Sequence, residues 1–391
     1  MYVKSEFQAA KKILMHTPGE EVYFGTLHAE GCLFEAPFDR MIAANEHKSY
    51  IDELRSRNIE VNVVSEVLLE GVIDNAGQIV LGTEYDQLIK FALDSLTYKS
   101  FTINKSDLNN YKRDSIEKMS PYDLVRIILQ RPVIEVDGKS RGMKTVSNIS
   151  VMPLMNLYFT RDQQIITDKG LVMGKMGRGV RQIEVEVMKY VFSKIGIVPI
   201  YQVTGSGVLE GGDYIPVGDF ALIGQGDRTN PDGIKQLLDN GVFGFDEIAV
   251  VKDPDPGQEQ MHLDTYFNIV GDKLALVETS RVNSPKRMPL VDVYSLQAGR
   301  YVLSRSDVDF TDYIENEKQF NLIELDKNEQ LRYGINVLCI SDRNIITSND
   351  VSGNYEGKLI RRNINFTALD FSNIRLGYGS NHCMTQVYSR I

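Results

Sequence analysis

Four short polar clusters along the chain hold the residue types that could do chemistry. NLYFTRD contains Asn156, Arg161 and Asp162, and LEGGD contains Glu210 and Asp213. MHLD contains His262 and Asp264, and GYGSNHCM contains His382 and Cys383. A cysteine becomes a strong nucleophile as its thiolate. A histidine can protonate a leaving group and later activate water. Carboxylates match a planar, cationic guanidinium through paired hydrogen bonds. Together these parts suit attack by Cys383 on the resonance-stabilised carbon of a guanidinium group, and the bound cation would itself favour the thiolate.

Each part has an ordinary structural counterpart. A lone histidine such as His262 is commonly structural. Asp162 after an arginine is a common turn or salt-bridge residue, and the Gly-Gly of LEGGD commonly marks a bulge or tight bend. None of the spacings has the specificity of a phosphate loop or a zinc finger. Residue types alone leave open both a cysteine hydrolase and another α/β enzyme.

Cysteine usage separates Cys383 from the rest. Three cysteines, Cys32, Cys339 and Cys383, make neither a disulfide framework nor a zinc ligand set. Cys339 lies in the apolar run INVLCIS and reads as core, and Cys32 near an early turn reads as structural. Cys383 alone has glycine-rich, polar surroundings.

The chain has 391 residues, 42% hydrophobic and 25% charged, a profile that supports a sizeable core. Its length fits about two to three domains or one large closed α/β domain. A net charge of −10 speaks against nucleic acid or an anionic membrane as partner. The N-terminus lacks the apolar core and cleavage site of a signal peptide. No uninterrupted apolar run approaches the roughly eighteen residues of a membrane span. A cytoplasmic location is expected.

The elements that must position these clusters follow a recurring plan: two short strands joined by a polar turn, often followed by a helix and another strand. KKILMHTPGEEVYFGTL opens the first block, with a helix over about 38–56 and a strand in IEVNVVSEVL. The second has a strand pair in NLYFTRDQQIITDKGLVMGKM, a helix in RQIEVEVMKYVFSKIG and a strand in VPIYQV. The third runs through VLEGGDYIPVGDFALIGQG, NPDGIKQLLDNG and EIAVVKD. The fourth is a hairpin turning at Gly271–Asp272, and the fifth has INVLCISDRNIITSN, a helix-poor stretch and GKLIRRNINFTALDFSNI. Five ββαβ-like blocks suggest a repeat architecture closing on itself, with an open α/β sheet as the alternative. Residues 68–144 differ: short helical spacings and a Ser120-Pro121 helix start predict a helical insertion, dividing the chain into a catalytic domain of 1–67 and 145–391 and the insertion.

NLYFTRD, LEGGD, MHLDT and the terminal HCM resemble, in that order, the motifs of the arginine deiminases of the guanidino-group modifying superfamily. KKILMHTPGEE, LFEAPFD and ANEH resemble that family's N-terminal region, so the resemblance covers nearly the whole chain. It implies a five-bladed ββαβ propeller (the pentein fold) with a helical insertion. It also implies hydrolysis of L-arginine to L-citrulline and ammonia without metal or organic cofactor, and self-association as a dimer or tetramer. On the matching positions, Cys383 would be the nucleophile and form a thiouronium intermediate. His262 would be the general acid and base, with Glu210 as its partner. Asp162 and Asp264 would grip the guanidinium nitrogens. Asn156, Arg181 and Arg228 would bind the substrate's α-carboxylate and α-amino end, with Phe159 and Gly379 completing the pocket. Some family members carry an arginine five residues before the cysteine, where this chain has Tyr378 with Arg375 nearby. LFEAPFD is also looser than the family's usual Asp-Asp. Alternatives with the same thiol chemistry are a deiminase or amidinotransferase for another guanidino compound; one without it is a non-catalytic arginine-binding protein.

Overall fold

Among the described residues, five three-strand units share one topology. In each, an antiparallel pair is followed by a third strand parallel to the second, and a parallel neighbour requires a crossover connection. The computed structural model describes residues 3–140 and 143–391, and side chains outside 137–144. Residues 1–2 of the expected catalytic segment and 141–142 of the expected insertion lie outside the described residues.

The second unit pairs Gln164–Ile166 with Leu171–Met173, crosses through the helix Glu184–Lys194, and adds Tyr201–Gln202 in parallel. The third pairs Tyr214–Pro216 with Phe220–Gln225, crosses through Pro231–Asp239, and adds Glu247–Lys252. The fourth pairs Phe267–Gly271 with Leu274–Glu278 and adds Asn321–Leu325. The fifth pairs Leu338–Ser341 with Asn344–Ser348 and adds Asn365–Leu369. Their antiparallel strands are buried on both faces, as in Leu171–Met173 and Phe267–Gly271.

The first unit departs from the expected pattern. Ala10–Met15 runs parallel to Glu60–Val63 after the helix Arg40–Ser56, but its antiparallel partner is Gln386–Arg390 from the chain's far end. The anticipated second strand of KKILMHTPGEEVYFGTL is instead the helix Glu20–Thr26, whose Val22 packs into the core. This exchange seats the turn carrying Cys383, just before Gln386, in the first unit.

Other expectations need correction. NLYFTRD is turn rather than strand, so that Asp162 precedes its unit's first strand. The fourth hairpin turns at Asp272–Lys273, one residue later than predicted, with Lys273 left-handed at φ 51 and Gly271 paired with Leu274. The stretch predicted to be helix-poor opens the helix Gly353–Arg361, which runs on into GKLIRR, is capped by the Ser352 side chain and buries Tyr355 and Leu359. Two strands, Leu290–Gln297 and Arg300–Asp309, extend the third unit's sheet and were not foreseen.

Residues 68–144 carry the helices Thr83–Ser95, Lys105–Ile116 and Pro121–Gln130, the last begun by the Ser120 cap and Pro121. They also enter a three-stranded sheet of Thr97–Lys99, Pro132–Ser140 and Met143–Val151, which helical periodicity did not predict. Leu88, Leu124 and Ile128 share one core with Met188, Val191 and Phe192 of the second unit's helix.

Candidate active site

Each unit places a polar side chain in the turn just before its first strand. These are Asp162, Glu210, Asp264, Asn336 and Cys383, which precede Gln164, Tyr214, Phe267, Leu338 and Gln386. All five are buried. Turns can present side chains inward at strand starts without breaking the ladders that follow, so residues far apart in sequence converge.

The thiol of Cys383 is 3% exposed, and its Sγ lies 3.7 Å from Oδ2 of Asp264. The same carboxylate oxygen lies 2.6 Å from Nδ1 of His382. Burial pushes the Cys383 thiol well above its usual range, and the Asp264 and Asp162 carboxylates push the same way. At rest the thiol is therefore protonated.

His262 has the opposite environment. Its Nε2 is 2.8 Å from Oε2 of Glu210, and its Nδ1 is 3.8 Å from Oδ1 of Asp162. Burial alone would keep the ring neutral, but Asp162, Glu210 and Asp213 outweigh it and raise the pKa to about 9. Glu210 resists its own desolvation through His262, Arg228 and Arg181, and falls to about 2. Gly177 donates its N–H to the other Glu210 oxygen at 2.8 Å. Asp213, raised to about 7 by burial, accepts the N–H of Leu263 at 2.9 Å and so braces the turn after His262.

Arg181 is fully engaged by protein. Nη1 donates to Asp162 at 2.7 Å, Nε to Glu184 at 3.0 Å and Nη2 to the Asn156 carbonyl at 3.3 Å. Arg228 donates to Asp227 at 3.2 Å and Gln258 at 2.9 Å, while its Nη1, 3.6 Å from Glu210, is buried without a hydrogen-bond partner. Asn156 donates its side-chain amide to the Cys32 carbonyl at 3.0 Å. Cys339 is core, as expected, with a thiol pushed up to about 12 by burial.

Asn156, Phe159, Asp162, Arg181, Arg228, His262 and Cys383 line one small cavity, joined by Leu33 and Tyr378. Its volume is about 10 Å³, room for about one water. Gly379 packs against the Phe159 ring, which a side chain at 379 would strike. Arg375 does not reach the site: it pairs with Asp350 at 3.0 Å, and Tyr378, left-handed at φ 66, stands at the cavity. Arg161 also points elsewhere, pairing at 3.0 Å with buried Glu6, which holds Arg390 at 2.6 Å.

Asn336 was absent from the sequence-based site. Its Oδ1 accepts the N–H groups of Ser380 at 3.2 Å and Cys383 at 3.3 Å, and its carbonyl accepts that of His382 at 3.2 Å. Its position before a first strand, matching the other four, was the available signal. Glu184, which accepts from Gln163 at 2.7 Å as well as from Arg181, was also missed. Asp162, Glu210 and His262 bring ligand atoms within 4.8 Å of one another, a spacing that could hold a cation. Arg181 and Arg228 already supply positive charge to those carboxylates.

The frame is the mixed α/β fold of the amidine-modifying enzymes. Dimethylarginine dimethylaminohydrolase from Pseudomonas aeruginosa, solved with citrulline, superposes with a TM-score of 0.56 at 15% identity over 96% of this chain and 98% of its own. An amidinotransferase from Microseira wollei gives 0.54 at 12% identity, over 100% of this chain and 97% of its own. The chain belongs to the arginine deiminase family, whose model matches residues 30–390. The arginine deiminase of Halobacterium salinarum is 25% identical over 97% of this chain and 95% of its own length. The protein is accordingly a hydrolase of C–N bonds in linear amidines. No helix among the described residues is long and apolar enough to cross a membrane.

Proposed function

We propose that the protein hydrolyses L-arginine to L-citrulline and ammonia through a covalent thiouronium on Cys383. One observation carries this: Oδ1 of Asp162, Oδ1 of Asp264 and Nη1 of Arg228 are all buried without a hydrogen-bond partner. Buried polar atoms are nearly always satisfied, so these three call for a ligand. Two carboxylate acceptors beside a thiol suit a donor-rich planar cation, and an arginine donor suits an anionic group on the same molecule. Arginine carries both groups.

The guanidinium lies between Asp162 and Asp264, and its charge offsets the two fields that hold the thiol proton. The thiol then releases its proton to solvent, and Sγ attacks the guanidinium carbon. His262, charged at neutral pH, passes a proton to the departing nitrogen, which leaves as ammonia. The C–N bond breaks and the thiouronium remains. Now neutral, His262 takes a proton from water, whose oxygen attacks the same carbon. Collapse breaks the C–S bond, the sulfur takes up the hydroxyl proton to restore the thiol, and the ureido group of citrulline remains. Glu210 keeps His262 charged and oriented, Arg181 fixes Asp162, and Arg228 and Asn156 receive the amino-acid end. Phe159 and Gly379 shape the pocket. A cavity of about 10 Å³ does not hold arginine, so Tyr378 and Leu33 shift to admit it.

The deciding experiment gives purified protein arginine, agmatine or a methylated arginine, with and without an amine acceptor, and measures citrulline and ammonia. Citrulline from arginine without acceptor is expected, and Cys383→Ala abolishes it while keeping the thermal transition. A product formed only with the amine would instead mark an amidinotransferase.

The five units close as a five-bladed propeller, supported by the pairing of Ala10–Met15 with Gln386–Arg390. Residues 68–144, three helices with part of a three-stranded sheet, form an insertion on a catalytic domain of 1–67 and 145–391. The protein acts in the cytoplasm as a dimer or tetramer, which light scattering on the purified chain tests.

A further inference from the structure

A cleft of about 580 Å³ lies away from the catalytic thiol, between the helices Thr83–Ser95 and Glu184–Lys194. Phe91, Ile183 and Val198 give it apolar walls, and the Phe91 and Tyr190 rings pack 4.6 Å apart. Ser95, Arg131 and Tyr190 add polar groups to the lining. Arg131 Nη1 donates to Ser95 Oγ at 3.1 Å, while Arg131 Nε and Tyr190 Oη are buried without hydrogen-bond partners. Arg131 also sits at φ 46 immediately before Pro132, a left-handed conformation that non-glycine residues adopt uncommonly.

Charged side chains of both signs, Asp94, Glu186 and Lys189, line the cleft as well. Glu186 is exposed and makes no ion pair among the described residues, whereas Asp94 is paired with Lys90 at 2.9 Å. Two unsatisfied donors, a carboxylate without an ion pair and hydrocarbon walls, all lining one cleft, are complementary to one kind of molecule. We propose that this cleft binds a free α-amino acid with an apolar side chain. Its carboxylate takes Arg131 Nε and Tyr190 Oη, its ammonium faces Glu186, and its side chain lies against Phe91, Ile183 and Val198.

The cleft and the active site share a helix. Glu186 and Tyr190 of Glu184–Lys194 face the cleft, while Glu184 holds Arg181 and Gln163 beside the catalytic cavity. An occupant that fixes this helix therefore alters arginine binding, a second part that rests on the deiminase function proposed above.

Calorimetric titration of L-phenylalanine into the full chain tests the site without turnover. Saturable binding is expected, weakened at least about tenfold in Tyr190→Phe, Arg131→Met and Glu186→Gln. Tyr190→Phe removes one hydroxyl, so its fold is expected to survive. 3-Phenylpropionate, which lacks the ammonium, should bind more weakly than L-phenylalanine and be indifferent to Glu186→Gln. No saturable binding, binding unchanged in all three variants, or strict competition with arginine overturns the site. Saturating L-phenylalanine should also change the arginine KM at least about twofold in the wild type but not in Tyr190→Phe. An unchanged KM with intact binding overturns the coupling alone.

Discussion

Sγ of Cys383 stands 3.7 Å from Oδ2 of Asp264, so the carboxylate meant to hold the substrate also holds the proton on the nucleophile. Asp264→Asn should separate these effects. With the negative charge gone, the resting thiol should ionise at lower pH, seen as faster iodoacetamide alkylation near neutrality. Citrulline formation should nevertheless fall by about a hundredfold or more, because one guanidinium acceptor is lost. An alkylation profile unchanged from wild type would mean that burial and Asp162, not Asp264, set the thiol.

The Glu210–His262 contact at 2.8 Å makes a pH prediction with a definite sign. His262 is raised from 6.5 to about 9. Its contribution to stability is therefore complete below about 6.5 and lost as pH rises through about 9. Glu210 is lowered from 4.5 to about 2, so its contribution is present above 4.5 and lost as pH falls toward about 2. Labelled-histidine NMR should show one ring titrating near 9, distinct from buried His47, which is depressed to about 3. In Glu210→Gln the His262 titration should move toward neutrality, and the alkaline fall in kcat should move with it.

Much of this site was legible because polar residues interrupt apolar runs where strands begin. Asp162, Glu210, His262, Asp264 and Cys383 all stand in such interruptions. Asn336 did not stand out, since one asparagine within INVLCIS resembles any turn residue and its partners lie more than forty positions away, at Ser380 and Cys383. Glu6 was unreadable for the same reason: Arg161, His382 and Arg390 meet it only when the chain ends pair. The helix Gly353–Arg361 was hidden by two glycines, which lower helix propensity, although Ser352 caps it and Tyr355 and Leu359 anchor it. The exchanged strand Gln386–Arg390 could not be inferred from blocks read in chain order, because its neighbour Ala10–Met15 lies at the other end.

Asn336 should behave as a positioning residue. Asn336→Ala leaves the N–H groups of Ser380 and Cys383 without their side-chain acceptor in a buried turn. The expected cost is about 1–3 kcal/mol of stability. As the turn aims Sγ, kcat should fall by about tenfold or more while the arginine KM changes less. Calorimetric unfolding together with steady-state kinetics separates this from simple destabilisation, which would lower the active fraction on heating but leave kcat per folded molecule intact.

Gly379 is held to glycine by Phe159 rather than by its backbone dihedrals. A Cβ there would fall on the Phe159 ring, which itself lines the catalytic cavity. In Gly379→Ala either the ring or the Tyr378 loop must move, and both border the space that arginine enters. The arginine KM should rise by about tenfold, with a smaller effect on the unfolding midpoint. Combining Gly379→Ala with Phe159→Leu should recover part of the lost affinity, because the smaller side chain makes room for the methyl group. The coupling read from this double-mutant cycle is expected at about 0.5–3 kcal/mol. Strictly additive effects would show that the alanine acts on the loop's conformation and not through the ring.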